Sequence, residues 1–229
     1  MVKTLSKEKK LKKPKAKKEL DETTQDHVGD EDAENLDDED AEADIVHFSE
    51  MGIDDRILMS VLQLGWLEPT PIQETAIPLI LEGRDVLAKA RTGSGKTGAY
   101  AIPLLHKILA LKKSKSSKQS INTLILTPSR ELCSQAFKNL QELIVYCQRE
   151  ISIVDLSSSQ MTLQAQKQLL ATRPDIVIST PTKILAHLKN ERDQSSALDL
   201  KASLELLVID EADLLLSFGY EQEMKNLVK

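Results

Sequence analysis

Only two cysteines, no long apolar run and, over most of the length, no net charge: each shortage in this 229-residue chain removes a class of protein. Cys133 and Cys147 fall fourteen residues apart within one stretch that reads as helical, too far apart along it to bridge. No disulfide framework is expected, and a reducing, intracellular compartment fits. The four histidines (His27, His47, His106, His187) show no metal-ligand spacing with the cysteines and read as ordinary surface or core residues. No stretch approaches the ~20 apolar residues of a membrane span. The N-terminus lacks the apolar segment of a secretory signal, so no membrane partner is expected. There is no internal repeat.

The formal charge of −6 hides a split. Residues 1–20 hold nine lysines and two acids; residues 21–44 hold thirteen acids and no lysine or arginine. The remainder holds 21 basic and 21 acidic side chains. Opposite charge blocks with almost no large apolar residues cannot bury enough surface to offset chain entropy, so residues 1–44 are expected to be a disordered tail. The lysine block at 7–18 suits a nuclear localisation signal, an RNA-binding arm or a solvated tail. The rest has no overall positive field, so any nucleic-acid surface there must be a local patch.

From residue 45 the texture is that of one globular domain, 45–229. Residues 53–64 and 72–81 space apolar residues at helical intervals, with Pro69 and Pro71 between them. Short apolar runs at 85–90, 121–127, 151–156, 175–179 and 204–209 read as strands. Longer segments at 95–111, 130–148, 160–172 and 181–189 read as helices, and 112–120 as an exposed loop. Several strands are apolar throughout rather than alternating, as when helices cover both sheet faces. The pattern predicts an α/β fold with a mostly parallel sheet.

The chemistry concentrates in two places. Ala90-Arg91-Thr92-Gly93-Ser94-Gly95-Lys96-Thr97 follows a strand candidate and opens a helix candidate, nearly the P-loop pattern with alanine in place of its first glycine. Gly93 and Gly95 let the backbone curl so that N–H groups face phosphate oxygens, and the helix aims its positive end at the same anion. Lys96 suits the β- and γ-phosphates and Thr97 a magnesium ion. Downstream, Val208-Ile209-Asp210-Glu211 ends an apolar strand with two acids. Such a strand end places one carboxylate near Mg²⁺, here Asp210, while its neighbour Glu211 polarises water as general base.

Asp210-Glu211-Ala212-Asp213 also spells the motif that names the DEAD-box RNA helicases. Gly65-Trp66-Leu67-Glu68-Pro69-Thr70-Pro71-Ile72-Gln73 resembles that family's Q motif, Pro128-Ser129-Arg130-Glu131-Leu132 its Pro-Thr-Arg-Glu-Leu motif, and Thr180-Pro181-Thr182-Lys183 its Thr-Pro-Gly-Arg motif. The resemblance runs from about Phe48 to the C-terminus, with order and spacing agreeing. Ser217-Phe218-Gly219-Tyr220 and the run Leu156-Ser157-Ser158-Ser159 are most similar to the nucleolar branch that assists large ribosomal subunit assembly.

The resemblance implies the first RecA-like domain of an ATP-dependent RNA helicase, an ATP hydrolase using ATP and Mg²⁺ in the nucleus and nucleolus. Its partners would be RNA, specifically pre-ribosomal RNA, and pre-ribosomal proteins. It implies that Gln73 reads the adenine edge, that Phe48 stacks on the base and that Thr70 supports the site. The P-loop residues Ala90 to Thr97 would hold the phosphates, and Asp210 would hold Mg²⁺ through water. Pro128, Arg130, Thr180 and Lys183 would lie along an RNA backbone, giving largely sequence-independent binding. Taken alone, Phe48 reads equally as a core aromatic.

Three departures stand out. Ser129 replaces threonine and keeps a hydroxyl. Thr182-Lys183 replaces Gly-Arg and loses the planar fork that contacts phosphate bidentately. Serines stand where the family has a Gly-Gly pair. The family's Ser-Ala-Thr motif and second domain lie outside this sequence, so the chain alone is expected to bind Mg-ATP and RNA weakly and to turn over poorly. The alternative is a truncated, non-catalytic RNA- or partner-binding module; a DNA helicase or other RecA-like ATPase is a more distant reading.

Overall fold

The computed structural model describes residues 2–4, 46–114, 119–188 and 200–227. The lysine block and acidic block, and residues 115–118 of the expected loop, lie outside the described residues.

Three fully buried strands form the centre of the sheet: β2 (Thr123–Leu126), β4 (Ile176–Ser179) and β5 (Leu206–Ile209). Their unbroken apolar runs have no solvent face to present. β2 pairs in parallel with both β4 and β5, so Leu126 stands level with Ser179 on one side and Ile209 on the other. β3 (Ile153–Asp155) extends the parallel ladder beyond β4.

Side chains alternate across this sheet into two cores. Ile125, Ile176, Ile178, Leu206 and Val208 face one cluster; Leu124, Leu126, Val177, Leu207 and Ile209 face the other. The first cluster is closed by α1 (Asp55–Gln63), α2 (Pro71–Leu81), α3 (Lys96–Lys113) and α4 (Arg130–Leu143). The second takes Leu170 from α5 (Leu163–Ala171), Ile184 from α6 (Pro181–Leu188) and Leu200 from α7 (Leu200–Ser203). It also takes Leu215 from α8 (Ala212–Ser217), with Met224 and Leu227 of α9 (Glu221–Leu227) packed beside it. Each such leucine or isoleucine stabilises the fold by about 1.5–3 kcal/mol relative to exposure.

Helix starts follow side-chain caps. Ser129 accepts from Leu132 N–H at 3.3 Å and Thr162 from Ala165 N–H at 3.2 Å, satisfying donors that each first turn leaves free. α4 stops at Leu143, five residues short of the expected end; the β-branched pair Ile144-Val145 follows it, and Cys147 N–H turns back to Ile144 O. Cys133 and Cys147 are both free and buried.

Three expectations are corrected. Residues 85–90 form no strand beyond a single bridge residue at Val86, and Leu87 is 81% exposed. An apolar run becomes a strand only when a ladder partner lies alongside it. Second, the edge of β5 not paired with β2 is taken by β1 (Val2–Thr4), from the segment expected to be disordered. β1 runs antiparallel, with Val2 opposite Val208 and Thr4 opposite Leu206. Main-chain bonding to an open sheet edge does not need the apolar side chains whose scarcity predicted disorder. Third, Phe48 begins a short 3₁₀ turn, Phe48–Met51, and is 1% exposed within the first core. It packs as a core aromatic.

Candidate nucleotide-binding site

α3 opens the site. Its N-cap, Gly95, has φ +92°, and Lys96 and Thr97 are the first two helical residues. A side chain at 95 would be strained by that φ and would also collide, since its Cβ would lie 2.7 Å from Gln73 Nε2 and 2.8 Å from Thr70 Oγ1. The glycine pattern thus serves two ends: a curled loop before a helix N-terminus, and close approach of α2 to that loop.

That approach is made by Gln73. Its Nε2 donates to Gly95 O at 3.1 Å and its Oε1 accepts from Thr70 N–H at 3.0 Å. A carboxamide has two N–H donors and two acceptor lone pairs, so each end keeps one for a further partner. Thr70 Oγ1, beside the same loop, is buried with no hydrogen-bond partner. Trp66 joins this cluster, since a Cβ placed on Gly98 would lie 2.9 Å from Trp66 Cζ3 and 2.6 Å from Gln73 Nε2. The half-buried indole is therefore an aromatic ring beside Gln73. Trp66 lies within the Gly65–Gln73 block, and its being the only tryptophan is the signal that the sequence offers for it.

Across the site, β5 delivers Asp210 and Glu211. Asp210 N–H donates to Leu126 O at 2.9 Å, carrying the ladder one residue past the strand. Glu211 then takes the left-handed conformation, φ 47° and ψ 53°, which a non-glycine residue rarely adopts and which clusters at functional sites. The turn brings Glu211 Oε1 to 3.1 Å from Lys96 Nζ, which also donates to Ala90 O at 3.2 Å. Asp210 Oδ1 accepts from Glu211 N–H at 3.0 Å, and Asp210 Oδ2 from Tyr100 Oη–H at 3.1 Å. Burial pushes the Asp210 carboxyl above the usual carboxylate range, with the Tyr100 hydrogen bond opposing it and the Glu211 charge adding to it. Burial likewise pushes the Tyr100 phenol up, reinforced by Asp210. Tyr100 was not anticipated; one helical turn after Thr97, it reads as an ordinary core position.

Between these elements lies a cavity of about 540 Å³. Residues 86–92 line one side and Ile209 to Asp213 another, with Ile72, Lys96 and Tyr100 in its wall. Within the loop, Arg91, Thr92 and Gly93 are exposed; Ser94 is half-buried and its hydroxyl has no partner. Its lining combines apolar side chains with Lys89, Arg91, Lys96, Asp210 and Glu211, as a site for an anionic ligand with an apolar part requires.

The candidate RNA residues stand at the same end of the sheet, because β2, β4 and β5 run parallel in register. Pro128 and Arg130 follow β2; Thr180 follows β4, with Lys183 in the first turn of α6. Arg130 is exposed, Lys183 half-buried, and Pro128 and Thr180 buried. Lys183 Nζ donates to Ser158 O at 3.0 Å, tying α6 to the serine run after β3. Among the described residues there is no cluster of three or more His, Cys, Asp or Glu suited to a metal, and no helix long and apolar enough to cross a membrane.

Comparison with known proteins agrees with this geometry. Residues 70–229 match the family described as DEAD/DEAH box helicase. A relative from Dictyostelium discoideum, described as probable ATP-dependent RNA helicase ddx56, is 43% identical over 182 residues, covering 80% of this chain and 25% of that protein. The ATP-dependent RNA helicase dbp9 of Botryotinia fuckeliana is 43% identical over 190 residues, covering 83% of this chain and 30% of its own. The chain thus spans less than a third of the length of either relative. Among solved structures, a DEAD box protein from Methanococcus jannaschii superposes with a TM-score of 0.65 at 30% identity, over 79% of this chain and 46% of that one. The loop that opens α3 and the acids that end β5 are thus those of a wider group: this chain belongs to the DEAD/DEAH box helicase family.

Proposed function

We propose that this chain is the ATP-binding part of an RNA-stimulated ATPase that remodels RNA. The observation that carries the reading is the meeting of Lys96 and Glu211, at 3.1 Å, across the cavity between the phosphate-type loop and the end of β5. In this reading the Gly93–Gly95 loop and the α3 N-terminus take the phosphates and Lys96 leaves Glu211 for the β- and γ-phosphates. The spare donor and acceptor of Gln73 read the adenine edge, and Trp66 covers the base.

Magnesium fits the residues present. Asp210 and Thr97 offer hard oxygen donors, and one carboxylate with substrate phosphates is the usual protein share of a Mg²⁺ site. Asp210, acting through water, and the Thr97 hydroxyl would hold it. A bound Mg²⁺ would supply positive charge to offset the charge that develops on the phosphates during transfer. Glu211 orients and deprotonates the attacking water.

Arg130, Thr180 and Lys183 present donors to an RNA backbone at the carboxyl edge of the sheet, and Pro128 packs beside them. Phosphate contacts carry no sequence information, so binding is largely sequence-independent. The similarity of Ser217 to Tyr220 and of the serine run to the nucleolar branch supports a place in large ribosomal subunit assembly, with pre-ribosomal RNA and its proteins as partners. The lysine block at 7–18 suits nuclear import.

The test is ATP hydrolysis with and without RNA, for this chain and for a version extended to the length of its relatives, each beside a Glu211→Gln control. RNA-stimulated turnover in the extended version that disappears in the control is the expected result. ATP binding without turnover in both versions would replace this reading with a non-catalytic binding module.

A further inference from the structure

Tyr100 has a polar atom at a place where packing needs none. Its ring is 5% exposed in the first core, where phenylalanine would fill the same space. A buried hydroxyl must find a partner, and this one finds Asp210 Oδ2, 110 residues away in sequence, at 3.1 Å. The Glu211 N–H occupies Asp210 Oδ1 at 3.0 Å. A carboxylate held at both oxygens by fixed donors keeps one orientation, and its remaining lone pairs are left for the cavity that it lines.

We propose that Tyr100 is a positioning residue, fixing the Asp210 carboxylate in the orientation in which the site accepts a nucleotide-bound divalent cation. The proposal rests on the nucleotide-binding reading above. Outer partners of metal-binding carboxylates act in this way, by setting the orientation of the group that meets the metal. Tyr100 acts through Asp210, from the wall of the cavity.

The experiment is calorimetric titration with ADP, in Mg²⁺ and in EDTA, for the wild type, Tyr100→Phe and, as a control on an exposed tyrosine, Tyr146→Phe. The wild type and Tyr146→Phe should gain the same affinity from Mg²⁺. Tyr100→Phe should gain at least about threefold less, the low end of what loss of an outer partner costs a metal site, with unchanged affinity in EDTA. An equal gain overturns the proposal, and so does an equal loss in Mg²⁺ and EDTA, which marks a purely structural role. If Tyr100→Phe melts early, Tyr100→Met, which also deletes the hydroxyl, is read by the same criteria. Should the wild type bind no nucleotide, the P-loop reading is what fails. The Glu211 amide resonance, reporting on Asp210 Oδ1, then decides: a shift in Tyr100→Phe upholds positioning of the carboxylate, and an unmoved resonance overturns it.

Discussion

Lys96 Nζ and Glu211 Oε1 stand 3.1 Å apart, each side chain a little under a quarter exposed, so the cation expected to meet phosphate is paired with the acid expected to activate water. Phosphate and Glu211 therefore compete for one ammonium. Half-solvated pairs of this kind contribute about 0.2–1 kcal/mol. Glu211→Gln should raise ATP affinity by no more than about fivefold while removing hydrolysis in the extended protein. Weaker ATP binding in the variant, measured by calorimetry, would mean that Glu211 helps to hold the nucleotide instead of competing with it.

Gly98 makes a second test, independent of charge. Its Cβ would lie 2.6 Å from Gln73 Nε2 and 2.9 Å from Trp66 Cζ3. Gln73 is 3% exposed and bonded at both ends, so it cannot withdraw without breaking its bond to Gly95 or to Thr70. Gly98→Ala should cost about 1–3 kcal/mol of stability, as overpacking does. It should also reduce discrimination of ATP from GTP, because the amide proposed to read the base is the group displaced. A melt and binding curves matching the wild type would refute the close packing of α2 on α3.

These cases show what was legible in sequence. The P-loop and the Asp210-Glu211 pair were readable because backbone curvature and strand-end acids demand particular residue types at fixed spacing. β2, β4 and β5 were readable because strands buried on both faces leave unbroken apolar runs. Residues 85–90 hold a shorter apolar run, Val86 to Ala88 between Asp85 and Lys89, and form no strand, since pairing depends on a neighbour elsewhere in the chain. Phe48 and Trp66 show the same limit: both are aromatic and both precede Gln73, and only packing decides that the first is sealed in the core while the second lies against Gly98. The Tyr100–Asp210 contact spans 110 residues and has no local pattern at all.

Asp175 ties the far end of the sheet together. It is 1% exposed, pairs with Lys112 Nζ at 2.7 Å, and accepts from Ser152 N–H at 2.8 Å and Ser152 Oγ at 3.0 Å. Removing one partner of a buried pair costs about 3–5 kcal/mol when a charge is left uncompensated. Lys112 is 30% exposed, which lowers the cost of its own loss through solvent screening. In urea unfolding, Asp175→Ala should therefore destabilise more than Lys112→Met, because it also strips Ser152 N–H of its acceptor. The reverse order would show that the lysine carries the network.

Acid should weaken the fold at the histidines before it reaches the carboxylates. His106 Nδ1 accepts from Asp54 N–H at 3.1 Å, a bond that requires the neutral ring. Burial lowers the His106 pKa below its ordinary value of 6.5, opposed by Asp54 and aided by Lys113 and Lys107. Burial lowers that of His187 too, with Lys167 and Lys183 adding to it. A histidine whose folded pKa is depressed takes up fewer protons than the unfolded chain below about pH 6.5, so stability is full above that point and falls as pH drops through it. The slope is at most about 1.4 kcal/mol per pH unit per histidine. Asp54 works in a separate range: Arg56 and Lys113 hold it far below the usual carboxylate value, so its contribution is lost only at pH below about 4. Urea midpoints at pH 7.5 and 5.5 should therefore differ clearly in the wild type. The difference should narrow in His106→Asn, whose amide oxygen accepts the Asp54 N–H without titrating. An undiminished difference in His106→Asn would assign the acid sensitivity to His187, whose Nε2 faces Gln166 Oε1 at 2.9 Å, and would leave the His106 bond without a role in it.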